Sequence, residues 1–115
     1  MAWEIYIQEY ENYLKLERSL SENSVEAYVH DAVKLKQFLE ISNLDISAQQ
    51  VRANHLQNFI EYINELGMSA HSQARIISGL KSFYKFMMYE GEIDVDPTAL
   101  LEAPKLGRKL PDTLD

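Results

Sequence analysis

The chain has 115 residues, 46% hydrophobic and 25% charged, with 18 acidic against 11 basic side chains, a formal net charge of −7 and no cysteine. That length supports one hydrophobic core, and the mixture excludes wholesale disorder, a disulfide scaffold and any thiolate metal site. The opening "MAWEIYIQEYENY" has acids where a secretory leader needs a basic start, and no stretch approaches about 20 consecutive apolar residues, so the expected setting is the cytoplasm.

The pattern is helical almost throughout. A first helix is expected from about Trp3 to Arg18, with Trp3, Ile7, Tyr10, Tyr13 and Leu14 inward and Glu4, Glu9, Glu11 and Glu17 outward. "SLSENSV" interrupts it, and Ser21 is an N-cap whose hydroxyl can take an orphan amide of the next turn. The second helix runs to about Ile41, with Val25, Tyr28, Ala32, Leu35 and Leu39 at core spacing. After the loop "SNLDISAQQ" comes the third helix, "NHLQNFIEYINEL", expected to bury Leu56, Phe59, Ile60, Ile63 and Leu66, with Gly67 at the left-handed C-terminal position. Ser69 caps a fourth helix that reaches Tyr89. Asp96-Pro97 then predicts a short fifth helix over Pro97–Glu102, an N-cap followed by a first-turn proline. The tail "PKLGRKLPDTLD" reads as a linker leaving a finished domain. Ser21-x-x-Ser24 and Ser69-x-x-Ser72 each open a long helix, with Phe38 and Phe86 at the same offset, two helices meeting one capping need alike.

Enzyme chemistry finds little footing. No Ser/His/Asp or Cys/His constellation, phosphate-cradling glycine loop or HExxH is present, and His30, His55 and His71 show no i,i+4 spacing for a metal. No cofactor and no metal are expected. Asp94 and Asp96 read as turn caps and solvated charge, and most of the seven tyrosines fall at core spacing.

The fourth helix is the informative one. In an acidic chain its stretch "MSAHSQARIISGLKSFYKFMMY" holds Arg75, Lys81 and Lys85, with His71 near the start, and no acid. Ile76, Ile77, Leu80, Phe83, Tyr84 and Met87 form its buried side, while His71, Arg75, Ser78, Ser82 and Lys85 form an opposite stripe flanked by Lys81. Small hydroxyls between long cations suit close approach to a sugar–phosphate backbone. The second helix offers a matching stripe in Asn23, Ala27, His30 and Lys34, weakened by the flanking acids Glu26 and Asp31. By pattern alone, both a solvated face and a nucleic-acid face fit.

These residues also carry a resemblance. "LERSLSENSVEAYVHDAVKLKQFLE", with Ser21, Asn23, Ser24, Tyr28 and Asp31, resembles the N-terminal signature of tyrosine site-specific recombinases of the Xer type. "SAHSQARIISGLKSFYKFM" is similar to that family's fourth helix, with Ala74-Arg75 and Ser78 in place, and "DVDPTALLEAPKLGRKLPDTL" to the Asp-Pro segment and "PK…LP" linker that close the domain. The resemblance runs in order over essentially the whole chain. It implies an all-α, SAM-like core-binding domain: a compact bundle of four helices plus a short fifth over residues 1–103, with residues 104–115 as a linker towards a catalytic domain absent from this chain.

The partners it implies are double-stranded DNA at a recombination site and other recombinase protomers in a tetrameric synapse, with no membrane and a monomeric isolated domain. The second and fourth helices would face DNA through Asn23, Ser24, Ala27, His30, Lys34, His71, Ser72, Arg75, Ser78, Lys81, Ser82 and Lys85, with Lys105, Arg108 and Lys109 following in the linker. No catalytic residue is expected here, because the family's arginines, histidines and nucleophilic tyrosine lie in the following domain. Val29 and His30 depart from positions often basic in the family, and Arg52 stands where a hydroxyl or acidic cap is common. The alternative from another class is a helical protein–protein adaptor docking through the acidic first helix.

Overall fold

The computed structural model describes residues 3–101 as four α-helices joined by short connections: α1 (Trp3–Leu16), α2 (Glu22–Ile41), α3 (Ala53–Glu65) and α4 (Ala70–Tyr89), with one 3-10 turn at Ala48–Gln50. No strand occurs among the described residues.

The helix starts follow local chemistry. Ser21 and Ser69 have extended backbones, and each hydroxyl accepts from the amide of the residue three on, Ser24 at 3.3 Å and Ser72 at 3.1 Å. In both caps the two serine hydroxyls also pair at 3.1 Å, so the two 20-residue helices open identically. The start of α3 is different. Arg52 occupies the cap position without a side-chain bond, and His55 Nδ1 instead accepts from the Arg52 amide at 2.9 Å, giving the reciprocal half of a capping box. Gly67, with φ +85°, takes the left-handed position after α3.

The core is aromatic where α1 meets α4. Trp3 stacks on Phe83, and Tyr10 meets Phe83 edge-on and Phe86 at a tilt. Leu35 and Leu39 of α2, Phe59 and Ile63 of α3, and Ile77, Leu80, Tyr84 and Met87 of α4 complete it, all buried. The loop between α2 and α3 is tied down from both sides: Trp3 Nε1 donates to the Ile46 carbonyl at 2.9 Å, and Tyr84 Oη donates to the Ala48 carbonyl at 3.0 Å. These bonds give a polar partner to two large side chains that would otherwise bury an orphan donor.

Several expectations need correction. Leu66 is 62% exposed because it is the C-cap of α3, beyond the last turn that faces the core. Tyr28, Ile7, Tyr13 and Ile60 are half-buried, packed against the core rather than within it. The predicted fifth helix is, over its described part, a tight turn. Its bonds are of the i→i+3 kind, Ala99 amide to Asp96 carbonyl and Leu101 amide to Thr98 carbonyl, with Asp96 Oδ1 accepting from the Thr98 amide and hydroxyl. Leu101 reaches back into the core, and Glu102 lies outside the described residues.

Candidate nucleic-acid interface

The two helices read as paired stripes pack against each other, and their crossing sets the site. Gly79 lies at that crossing. A Cβ placed there would overlap Oδ2 of Asp31 and come within 2.6 Å of its Cγ, so glycine allows the α2 carboxylate to sit directly on the α4 backbone. Asp31 is only 1% exposed. Its Oδ1 accepts from Nη2 of Arg75, forming an ion pair across the helices, while Oδ2 is buried with no hydrogen-bond partner. Asp31 is therefore not the surface acid its flanking position suggested. Burial pushes its carboxyl up to about 6, with the Arg75 guanidinium opposing that rise.

One open groove lies over this crossing, and a second runs along α4 beside the α1–α2 connection and the final turn. The first, about 590 Å³, is lined by Asn23, Ala27, His30 and Lys34 from α2 and by Ser72 and Arg75 from α4, with Glu26 and Asp31 among them. It therefore brings together the second-helix stripe and the start of the fourth-helix stripe. The second groove, about 620 Å³, is lined by Ser78, Lys81, Ser82 and Lys85 of α4, joined by Arg18 from the α1–α2 connection and Asp96 from the final turn.

The remaining candidates fall outside these groups or have a second role. Ser24 and Ser72 are engaged in the helix caps, though each keeps its own hydroxyl proton for an outward bond. Ser82 is not simply exposed: it accepts from the buried Tyr10 hydroxyl at 2.8 Å, and burial raises the Tyr10 phenol well above its ordinary range. His71 is exposed at the start of α4 and lines neither groove. Lys105, Arg108 and Lys109 lie outside the described residues.

Sequence reasoning missed Arg18, the burial of Asp31 and the part played by Gly79. A glycine in mid-helix was the available signal, since it weakens the helix by roughly 1 kcal/mol and therefore asks for a packing reason. Among the described residues, no three His, Asp or Glu side chains converge as metal ligands, and no helix is long and apolar enough to cross a membrane.

An all-helical domain whose α2 and α4 share a partly basic grooved face defines the class. Residues 7–91 match the family model described as the phage integrase N-terminal SAM-like domain. The chain belongs to that family. Its relatives include the tyrosine recombinases XerD of Staphylococcus epidermidis, 38% identical over 112 residues, of Staphylococcus saprophyticus, 40% over 109 residues, and of Staphylococcus aureus, 36% over 115 residues. These alignments cover 95–97% of this chain and 37–38% of each relative, so the chain spans little more than a third of their length. No solved structure matches the chain.

Proposed function

We propose that this chain is a DNA-binding domain of a Xer-type tyrosine recombinase, holding one side of a recombination site through α2 and α4. The observation that carries the reading is the shared groove: Asn23, Ala27, His30 and Lys34 of α2 face the same opening as Ser72 and Arg75 of α4. Along α4 the face continues through Ser78, Lys81, Ser82 and Lys85, hydroxyls and cations that can each donate to phosphate oxygens. Ser24 and His71 lie at the helix openings beside this face, and Lys105, Arg108 and Lys109, outside the described residues, are further candidate phosphate contacts. Residues 1–103 act as the domain and 104–115 as the link to a separate catalytic domain, which supplies the strand-cutting chemistry in chromosome dimer resolution or integration. Full-length protomers work as a tetramer on two DNA sites, while this domain alone is a monomer.

The test is fluorescence anisotropy on a 30-bp duplex at low salt, comparing wild type with the Arg75→Ala, Lys81→Ala, Lys85→Ala triple variant, with folding checked by thermal melting. Binding should weaken at least tenfold in the variant. Unchanged affinity in a folded triple variant reduces the stripe to a solvated face, and a DNA-independent tetramer in light scattering favours an adaptor.

A further inference from the structure

Arg75 is placed unlike the other cations of the interface. Its side chain is half exposed, yet it is tied by Nη2 to a carboxylate that is 1% exposed and seated on the Gly79 backbone. Among the described residues neither Lys81 nor Lys85 has a carboxylate within ion-pair distance. A phosphate cannot draw Arg75 away cheaply, because departure would leave the buried Asp31 carboxylate either unpaired or obliged to take up a proton. And while Arg75 stays, Asp31 offsets its charge, so the pair offers DNA little net charge and releases little counterion. What remains is directional. A guanidinium has five N–H donors in a rigid fork, and the bond to Asp31 uses one, leaving the others fixed in orientation at the groove.

Building on the DNA-binding reading above, we propose that Asp31 is a positioning residue that makes Arg75 a base-edge reader rather than a charge neutraliser, so that sequence preference resides at the α2–α4 crossing while affinity resides in the lysines of α4. The recognised chemistry is a pair of acceptors on one base edge in the major groove, the pattern of guanine O6 and N7. Gly79 belongs to the same device, since any side chain there would push the Asp31 carboxylate off its seat.

The experiment uses this 115-residue chain and two probes: a fixed 30-bp duplex for the salt dependence of affinity, and a pool of duplexes with a randomised central segment, sequenced after binding. Arg75→Lys keeps the charge and loses the fork. It should keep affinity for the fixed duplex within about twofold while the preferred base at one position, held about 5- to 150-fold by wild type, flattens. Asp31→Asn keeps the shape and removes the offsetting charge. It should flatten the same position and steepen the slope of log K against log salt by up to about 0.9, as one more phosphate is neutralised. A purely structural role for Asp31 would lower affinity at every sequence without steepening that slope. Preferences unchanged in folded Arg75→Lys overturn the inference alone, as does a slope that falls by about 0.9 in Arg75→Ala. Should Asp31→Asn fail to fold, the two Arg75 variants decide. Absence of salt-dependent binding by wild type overturns this inference together with the DNA-binding reading, and is distinguished by the lysine variants then having no effect either.

Discussion

The two grooves beside α4 have similar size and opposite electrostatic construction. In the first, Lys34 and Arg75 stand against Glu26 and Asp31, two cations to two acids. In the second, Arg18, Lys81 and Lys85 stand against Asp96 alone, three to one. The first groove contains an ion pair anchored on a buried carboxylate and a close glycine packing that fix geometry, and the second contains long lysine side chains without such an anchor among the described residues. One helix thus presents an oriented, charge-balanced end and an unanchored, positive end. In a domain with a net charge of −7, attraction to a polyanion has to be local, and the second groove is where the described cations outnumber the acids most clearly.

The largest expected effect breaks that comparison from the positive side. Lys81→Ala with Lys85→Ala should cost on the order of tenfold in DNA affinity per lysine at 50 mM salt and reduce the salt slope by about 0.9 for each phosphate no longer neutralised. The corresponding pair in the first groove, Lys34→Ala with Arg75→Ala, should reduce the slope by about half as much, because Asp31 already offsets Arg75. Equal slopes for the two double variants would show that the grooves are electrostatically alike.

A second test addresses the buried carboxylate. Asp31 titrates at about 6 in the folded protein, above its ordinary value of 3.8. The native state therefore holds a proton that the unfolded chain has already released, so the Asp31 contribution is most favourable below about pH 4 and is lost as pH rises through 6. Relative to Asp31→Asn, which does not titrate, wild type should lose about 2–3 kcal/mol between pH 4 and pH 7 in urea unfolding. A difference that stays flat across this range would mean that Arg75 compensates the carboxylate fully. The glycine partner gives a somewhat smaller effect. Gly79→Ala gains roughly 1 kcal/mol of helix propensity but overpacks the crossing by about 1–3 kcal/mol, for a net loss of up to about 2 kcal/mol. Combined with Asp31→Ala the overlap disappears, and the glycine replacement should then raise stability by the propensity gain of roughly 1 kcal/mol in thermal melts.

How much of this was legible in the sequence depends on how far each feature's causes lie along the chain. The Ser-x-x-Ser openings of α2 and α4 were readable because a cap needs only the residue three on. The buried side of α4 was readable from spacing, and Ile76, Ile77, Leu80, Phe83, Tyr84 and Met87 are all buried. Asp31 was misread because its burial depends on Arg75, 44 residues away in sequence, and on Gly79, whose missing side chain leaves no mark in a hydrophobic pattern. Leu66 was misjudged for a different reason: periodicity assigns a face but does not say where the covering neighbour ends. Arg18 joined the second groove through the α1–α2 connection, whose path no local pattern specifies. For the proposed interface, the two stripes were visible separately, and only the packing shows that α2 walls the first groove while Arg18 and the final turn wall the second.

The smallest effect sharpens the comparison inside the second groove, at Ser82. Its oxygen accepts from Tyr10, whose ring is fully buried between α1 and α4, so the serine has a stability role as well as a place on the proposed DNA face. The two roles use different parts of the hydroxyl: the lone pair serves Tyr10, and the proton remains for a phosphate oxygen. Tyr10→Phe removes the inward bond and keeps the outward donor, and because it deletes both the donor and the need to satisfy it, the cost should be only about 0.5–1.5 kcal/mol. Ser82→Ala instead leaves the Tyr10 hydroxyl buried without its partner, which should cost about 1–3 kcal/mol and also remove the donor to DNA. In the double variant the stability loss should fall back towards that of Tyr10→Phe, while DNA affinity stays at the reduced level of Ser82→Ala. Thermal melts and anisotropy on the same three variants read the two effects separately. If Tyr10→Phe weakens DNA binding as much as Ser82→Ala does, the serine acts on DNA only through its place in the fold.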